Sequence, residues 1–124
     1  MTRQRLAVVE DNPDNRLLLQ ALLNDQYDID EYADGPSALA GLVAAVPALV
    51  LLDISLPGMD GSEVLRRIRA TPSIASLPVI ALTAHAMTGD RERFLMEGFD
   101  GYVTKPIVDE TVLYSAIAVL LRPT

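Results

Sequence analysis

Five residues share one feature of position: Glu10, Asp11, Asp53, Thr83 and Lys105 all sit directly behind short apolar runs. Leu6-Ala7-Val8-Val9 precedes Glu10 and Asp11, and Leu49-Val50-Leu51-Leu52 precedes Asp53. Val79-Ile80-Ala81-Leu82 precedes Thr83, and Gly101-Tyr102-Val103-Thr104 precedes Lys105. Three carboxylates brought close together repel, and burial forces protons onto some of them. A divalent cation removes that conflict. With oxygen donors and no cysteine, the cation should be a hard one, Mg2+ with Mn2+ as a substitute. A carboxylate can also attack phosphorus and form an acyl phosphate. Phosphoryl transfer spreads negative charge over equatorial oxygens, so positioned cations and donors supply most of the catalysis. On this reading Asp53 is the nucleophile. The metal, Lys105 and Thr83 each meet one equatorial oxygen. The chain has nine Arg and a single Lys, and that Lys stands on this acidic rim. A compact ammonium is not interchangeable with a planar guanidinium there.

The elements that must position these residues follow from the pattern around them. Three of the four apolar runs are continuous rather than alternating, which suits parallel strands covered on both faces by helices. Tyr27 to Tyr32 alternates and reads as a half-exposed edge strand. Helical segments lie between the strands. Asn12 as cap with Pro13 behind it opens the first, which carries Leu17 to Leu23. Gly35-Pro36-Ser37 opens a second, Ala38 to Ala45. A third starts near Ser62, with Val64, Leu65 and Ile68 inward and Arg66, Arg67 and Arg69 on a solvated face. A fourth covers Asp90 to Glu97 and stops at Gly98. The fifth starts at Asp109-Glu110 and runs to about Leu121. Five strand-helix repeats imply a parallel sheet with right-handed crossovers. In such sheets function gathers at the carboxyl ends of the strands, where the five chemical residues stand.

Composition narrows the class. A chain of 124 residues, half of them hydrophobic, fits one domain, residues 1–124, with no separate output domain. The net charge of −7 is a poor match for nucleic acid or an anionic membrane surface. The absence of cysteine excludes disulfides and thiolate chemistry. The N-terminal apolar run is too short for a signal peptide, and Gly41 and Pro47 break the longest apolar stretch. A cytoplasmic location is expected.

Several stretches together resemble the receiver domain of two-component response regulators. They are Val8-Val9-Glu10-Asp11-Asn12, Leu51 to Gly61 with Asp53 at its third position, Ala81-Leu82-Thr83-Ala84, and Gly98 to Pro106. The resemblance covers essentially the whole chain. It implies a CheY-like (flavodoxin-like) α/β fold, a five-stranded parallel sheet of order 2-1-3-4-5. It implies Asp53 as phosphoacceptor and Mg2+ held by Asp11, Asp53 and the main-chain oxygen of Ser55, with Glu10 acting through water. It implies Thr83 and Tyr102 as a switch pair, and a readout face on the fourth helix, fifth strand and fifth helix. The Lys105–Pro106 bond resembles the family's cis peptide. The positions of Ser55 and His85 resemble tuners of hydrolysis rate; by itself His85 reads as a loop residue at the rim. The implied partners are a sensor histidine kinase or histidine phosphotransfer protein, and a downstream protein target. The chain would be a monomer or a phosphorylation-dependent dimer, and a switch rather than an enzyme with turnover. The run Thr83 to Met87, then Gly89-Asp90-Arg91, is most similar to hybrid-kinase receivers and stand-alone regulators, which suggests a bacterial phosphorelay.

Three rival readings have discriminating features. A haloacid-dehalogenase-type phosphatase needs a second Asp two residues after the nucleophile, where this chain has Ser55. A flavodoxin-like nucleotide binder needs a Gly/Ser/Thr-rich loop after the first strand, where this chain has Glu10-Asp11-Asn12-Pro13-Asp14. A pseudo-receiver acting only as a binding module would have no use for the complete set of site residues. Phe99 is bulkier than the small residue usual at its place, with a packing consequence the sequence leaves open.

Overall fold

The computed structural model describes residues 3–84, 89–107 and 109–121. Each apolar run becomes a strand, and each intervening segment a helix. In chain order they are β1 (Arg5–Val9), α1 (Pro13–Leu23), β2 (Asp28–Tyr32), α2 (Gly35–Ala44), β3 (Leu49–Asp53), α3 (Gly61–Ala70), β4 (Val79–Thr83), α4 (Asp90–Glu97), β5 (Gly101–Thr104) and α5 (Glu110–Leu120). All strand pairs are parallel, in the order β2-β1-β3-β4-β5. This is the expected α/β topology.

The continuous apolar runs are explained by two cores. Successive strand side chains point to opposite faces. Ala7, Val9, Val50, Leu52, Val79 and Ala81 enter one core, with Ala38 and Leu42 of α2, Val64, Leu65 and Ile68 of α3, and Phe94 of α4. Leu6, Val8, Leu49, Leu51, Ile80 and Leu82 enter the other, with Leu19 and Leu23 of α1 and Leu113 and Ile117 of α5. Strands β3 and β4 are buried at every position, whereas β2 is half exposed, as an edge strand should be.

Helix starts are fixed by short side chains. Asn12 accepts from the amides of Asp14 (2.8 Å) and Asn15 (3.3 Å), with Pro13 opening α1. Asp60 caps α3 and Asp109 caps α5. Asp34 caps α2 through the Ser37 amide, so this helix begins at Gly35, three residues before the apolar pattern does. Helix α4 closes at Gly98, where φ is +115°, a conformation that favours glycine.

One arginine departs from the expected solvated face of α3. Arg66 and Arg67 lie on the surface, as anticipated, and there they pair with Glu63. Arg69 instead turns inward as a bridge. It donates to the carbonyls of Ala75 (3.0 Å), Leu77 (2.6 Å) and Gly98 (2.8 Å), and to Asp100 at 3.0 Å. Asp100 also accepts from the Val79 amide at 2.8 Å. The guanidinium therefore satisfies loop carbonyls before β4 and after α4 that no helix or strand partner reaches.

The packing of Phe99 is also resolved. It is 2% exposed and meets Phe94 edge to face, with ring centroids 5.8 Å apart. Phe94 in turn lies 6.2 Å from the Tyr102 ring. Truncating a buried Phe leaves a cavity that costs about 3–5 kcal/mol. Phe99→Ala should therefore lower the thermal midpoint by more than about 10 °C, read by circular dichroism. An unchanged midpoint would show that the pair carries no packing energy.

Candidate functional site

The parallel register brings the carboxyl ends of β1, β3, β4 and β5 to one edge of the sheet. Val9 pairs with Leu52, Asp53 with Leu82, and Thr83 with Thr104. Neighbouring strands are about 4.8 Å apart, so the side chains that follow these ends can meet. Glu10 is fully buried, and Asp53 and Thr83 are each 2% exposed, while Asp11 lies at the surface. Buried charged groups need partners. Here Lys105 supplies one, with Nζ 3.1 Å from Asp53 Oδ1 and 3.3 Å from Glu10 Oε1. The Lys105–Pro106 peptide is cis, as expected, and the Lys105 amide donates to the Thr83 carbonyl at 2.7 Å.

The loop after β3 shapes the mouth of the site. The Ser55 amide donates to Asp53 Oδ1 at 3.0 Å, and the Ile54 amide to the Leu82 carbonyl. The Gly61 amide closes back onto the Ile54 carbonyl. A Cβ at Gly61 would lie 2.5 Å from the Asp53 carbonyl oxygen, so only glycine lets α3 start so close behind Asp53.

The acid groups do not share protons equally. Burial, with the neighbouring Asp53 adding to it, pushes Glu10 up to about 7. Asp53 moves the other way. Burial opposes its ionisation, but hydrogen bonds from Glu10, the Ser55 amide and Lys105 outweigh that and hold it below the usual carboxylate range. Of the two, Asp53 therefore ionises first and Glu10 holds a proton to higher pH, and the anion is the form a nucleophile requires.

The donor set also fits a hard cation. Glu10, Asp11 and Asp53 offer oxygens that all lie within 4.8 Å of one another. Glu10 Oε1 receives the Asn15 amide and Lys105, but Oε2 is buried with no donor. A buried carboxylate oxygen without a donor calls for a proton or a metal-bound group. Glu10, Asp11, Asp53, Thr83 and Lys105 are thus brought to one rim. Ser55 is exposed at its mouth, and Tyr102 is half-buried on β5. His85 lies outside the described residues. The sequence reading missed Asn15 and Arg16. Both reach back from the first turn of α1, with Arg16 donating to the Glu10 carbonyl at 2.8 Å. Their only sequence signal is a polar pair one turn beyond the Asn12 cap.

This edge can be set beside known proteins. A family model described as the response regulator receiver domain matches residues 6–118. The chain belongs to that family. Receiver domains are phosphoacceptor signalling domains of two-component systems, and phosphorylation and Mg2+ binding are typical of them. The chain is 38% identical over 119 residues to the response regulator PleD of Caulobacter vibrioides, covering 95% of this receiver and 26% of PleD. It is 41% identical over 107 residues to the sensor protein GacS of Pseudomonas syringae pv. syringae, covering 83% of this receiver and 12% of GacS. It therefore spans about a quarter or less of these curated relatives. Among solved structures, the receiver domain of the sensor histidine kinase PA1611 from Pseudomonas aeruginosa PAO1 superposes with a TM-score of 0.88. The two are 33% identical over 98% of this receiver and all of that chain, and that structure has a magnesium ion coordinated in its active-site cleft. Among the described residues, no helix of this receiver is long and apolar enough to cross a membrane.

Proposed function

We propose that this receiver is a Mg2+-dependent phosphoacceptor switch in which Asp53 takes a phosphoryl group from a phosphohistidine. The observation that supports it best is the pairing of buried Asp53 with Lys105 Nζ at 3.1 Å inside a carboxylate cluster. Asp11, Asp53 and the Ser55 main-chain oxygen would hold the ion, with Glu10 acting through water. Mg2+ would supply positive charge beside the transferring phosphoryl group. Asp53 attacks phosphorus, and the bond from phosphorus to the donor imidazole nitrogen breaks. Lys105 and Thr83 stabilise the equatorial oxygens. The chain thus catalyses only its own phosphorylation and dephosphorylation.

The donor fits a sensor histidine kinase or a histidine phosphotransfer protein, which the likeness to GacS supports. After phosphorylation, Thr83 turns to the phosphoryl group and Tyr102 moves inward, changing the α4-β5-α5 face read by a downstream protein. An open groove of about 520 Å³ beside Tyr102, Thr104, Ile107 and Val112 lies on that face. A phosphorylation-dependent dimer through this face is compatible with the same device. Ser55, exposed beside Asp53, would set phosphoryl lifetime together with His85.

Incubation with a phosphorylated histidine phosphotransfer domain tests the reading. Radiolabel should pass to this chain when Mg2+ is present and stay on the donor when it is chelated. Transfer that ignores chelation would contradict the metal's part.

A pH dependence follows from Glu10. Below pH 7 its proton competes with the ion, and Asp53, Asp11 and Lys105 are the charges around it. Mg2+ affinity should therefore rise about tenfold from pH 6 to pH 8, with proton release on binding. Calorimetry in buffers of different ionisation enthalpy reads both. A flat affinity over that range would place the proton elsewhere.

A further inference from the structure

The first turn of α1 grips Glu10 at both ends. Arg16 Nη1 donates to the Glu10 main-chain carbonyl at 2.8 Å, and Nε of the same side chain lies 3.5 Å from Glu31 on β2's edge. The Asn15 side-chain amide donates to Glu10 Oε1. Lys105 Nζ approaches the same oxygen at 3.3 Å. The second oxygen, Oε2, is buried and has no donor. The carboxylate is thus divided: one oxygen carries two donors, and the other is left without one in the cluster with Asp11 and Asp53.

A buried carboxylate left to itself turns until both oxygens find donors. Lys105 cannot prevent that rotation. Its ammonium sits on a flexible stem, has three rotatable donors and is shared with Asp53. Asn15 differs in kind. Its side chain is short, half-buried and attached to a turn that is itself locked. The Asn15 amide N–H donates to Asn12 Oδ1 at 3.3 Å, and the Arg16 N–H donates to the Asn12 carbonyl at 3.0 Å. The side-chain amide therefore arrives from a fixed direction. As a neutral donor it holds the oxygen without adding a charge that would compete with a cation.

We infer that Asn15 is a positioning residue for the metal site, holding Glu10 Oε1 so that Oε2 is presented to the ion's hydration shell. This rests on the Mg2+ reading of the proposed function. Removing a residue that holds a ligand without touching the metal typically weakens affinity by about 10- to 100-fold. A single neutral donor belongs near the lower end, about tenfold.

Asn15→Ala and Asn15→Leu remove the donor; Leu keeps the branched shape, and both are better helix formers than Asn. Mg2+ is titrated by calorimetry into the unphosphorylated wild-type chain and into each variant. Both variants should bind about tenfold more weakly, with a thermal midpoint equal to or above that of the wild type. Phosphorylation by a small acyl phosphate should be slower in proportion at low Mg2+. At saturating Mg2+ it should return to within about twofold of wild type, because Asp53, Lys105 and Thr83 are intact. A purely structural role would lower the midpoint and leave the affinity alone. If wild type binds Mg2+ and both variants match its affinity, the assignment to Asn15 is overturned and the metal reading stands. If the wild-type chain binds no Mg2+, the metal reading fails and this inference with it.

Discussion

Asp53→Asn should yield a folded chain that gains no phosphoryl mass from any donor. The amide keeps the shape of the carboxylate and can still accept from the Ser55 amide, but it has no anionic oxygen to attack phosphorus. Uptake should fall to background rather than by a modest factor, because no other described carboxylate shares this setting. Glu10 ionises less readily than Asp53, and Asp11 stands at the exposed edge. Stability should move little. The substitution removes a buried negative charge beside Glu10 and weakens one contact of Lys105, which still has Glu10 at 3.3 Å. A change of about 1 kcal/mol would move the midpoint by only about 4 °C. Intact mass after incubation with an acyl phosphate and a circular dichroism melt measure both. Wild-type uptake by this variant would move the acceptor to another residue.

Lys105→Ala should divide two properties that most site substitutions reduce together. Phosphorylation should slow by about 10²- to 10³-fold, the usual cost of removing one positioned donor from a developing anion. Mg2+ affinity should rise instead. The ammonium lies 3.1 Å from Asp53 and 3.3 Å from Glu10, so it competes with any cation for the same field. Lys105→Arg should not restore the rate, since a planar fork cannot replace a point charge on a flexible stem. Calorimetry gives the affinity and stopped-time mass spectrometry the rate. A fall in both, with the fold intact, would mean that Lys105 organises the carboxylates rather than serving the phosphoryl group.

The sequence carried the fold well where the information is local. Continuous apolar runs report strands buried on both faces, and the Asn12-Pro13 start reports α1 directly. The site was legible because a parallel sheet places the ends of its strands side by side, so position after a run is enough to group Glu10, Asp11, Asp53, Thr83 and Lys105. What escaped depends on contacts across the fold. Arg69 looks like its neighbours in α3 until its reach to Gly98 and Asp100, about thirty residues on, is known. Asn15 looks like an ordinary first-turn residue until β1 is seen to deliver Glu10 beneath it. Phe99 looked oversized because its partner, Phe94, is a neighbour only through the turn at Gly98. Helix α2 starts three residues ahead of its apolar pattern because Asp34 caps it there, a contact that the pattern of apolar residues does not carry.

Where the phosphoryl group goes decides whether Asp53 is the acceptor. The wild-type chain should be incubated with an acyl phosphate and Mg2+, then reduced with borohydride, which converts an aspartyl phosphate to homoserine. Peptide sequencing by mass spectrometry should find homoserine at position 53 alone, and none when Mg2+ is chelated. Homoserine at position 53 without Mg2+, modification at another residue, or no uptake by a chain that binds Mg2+ would contradict the account.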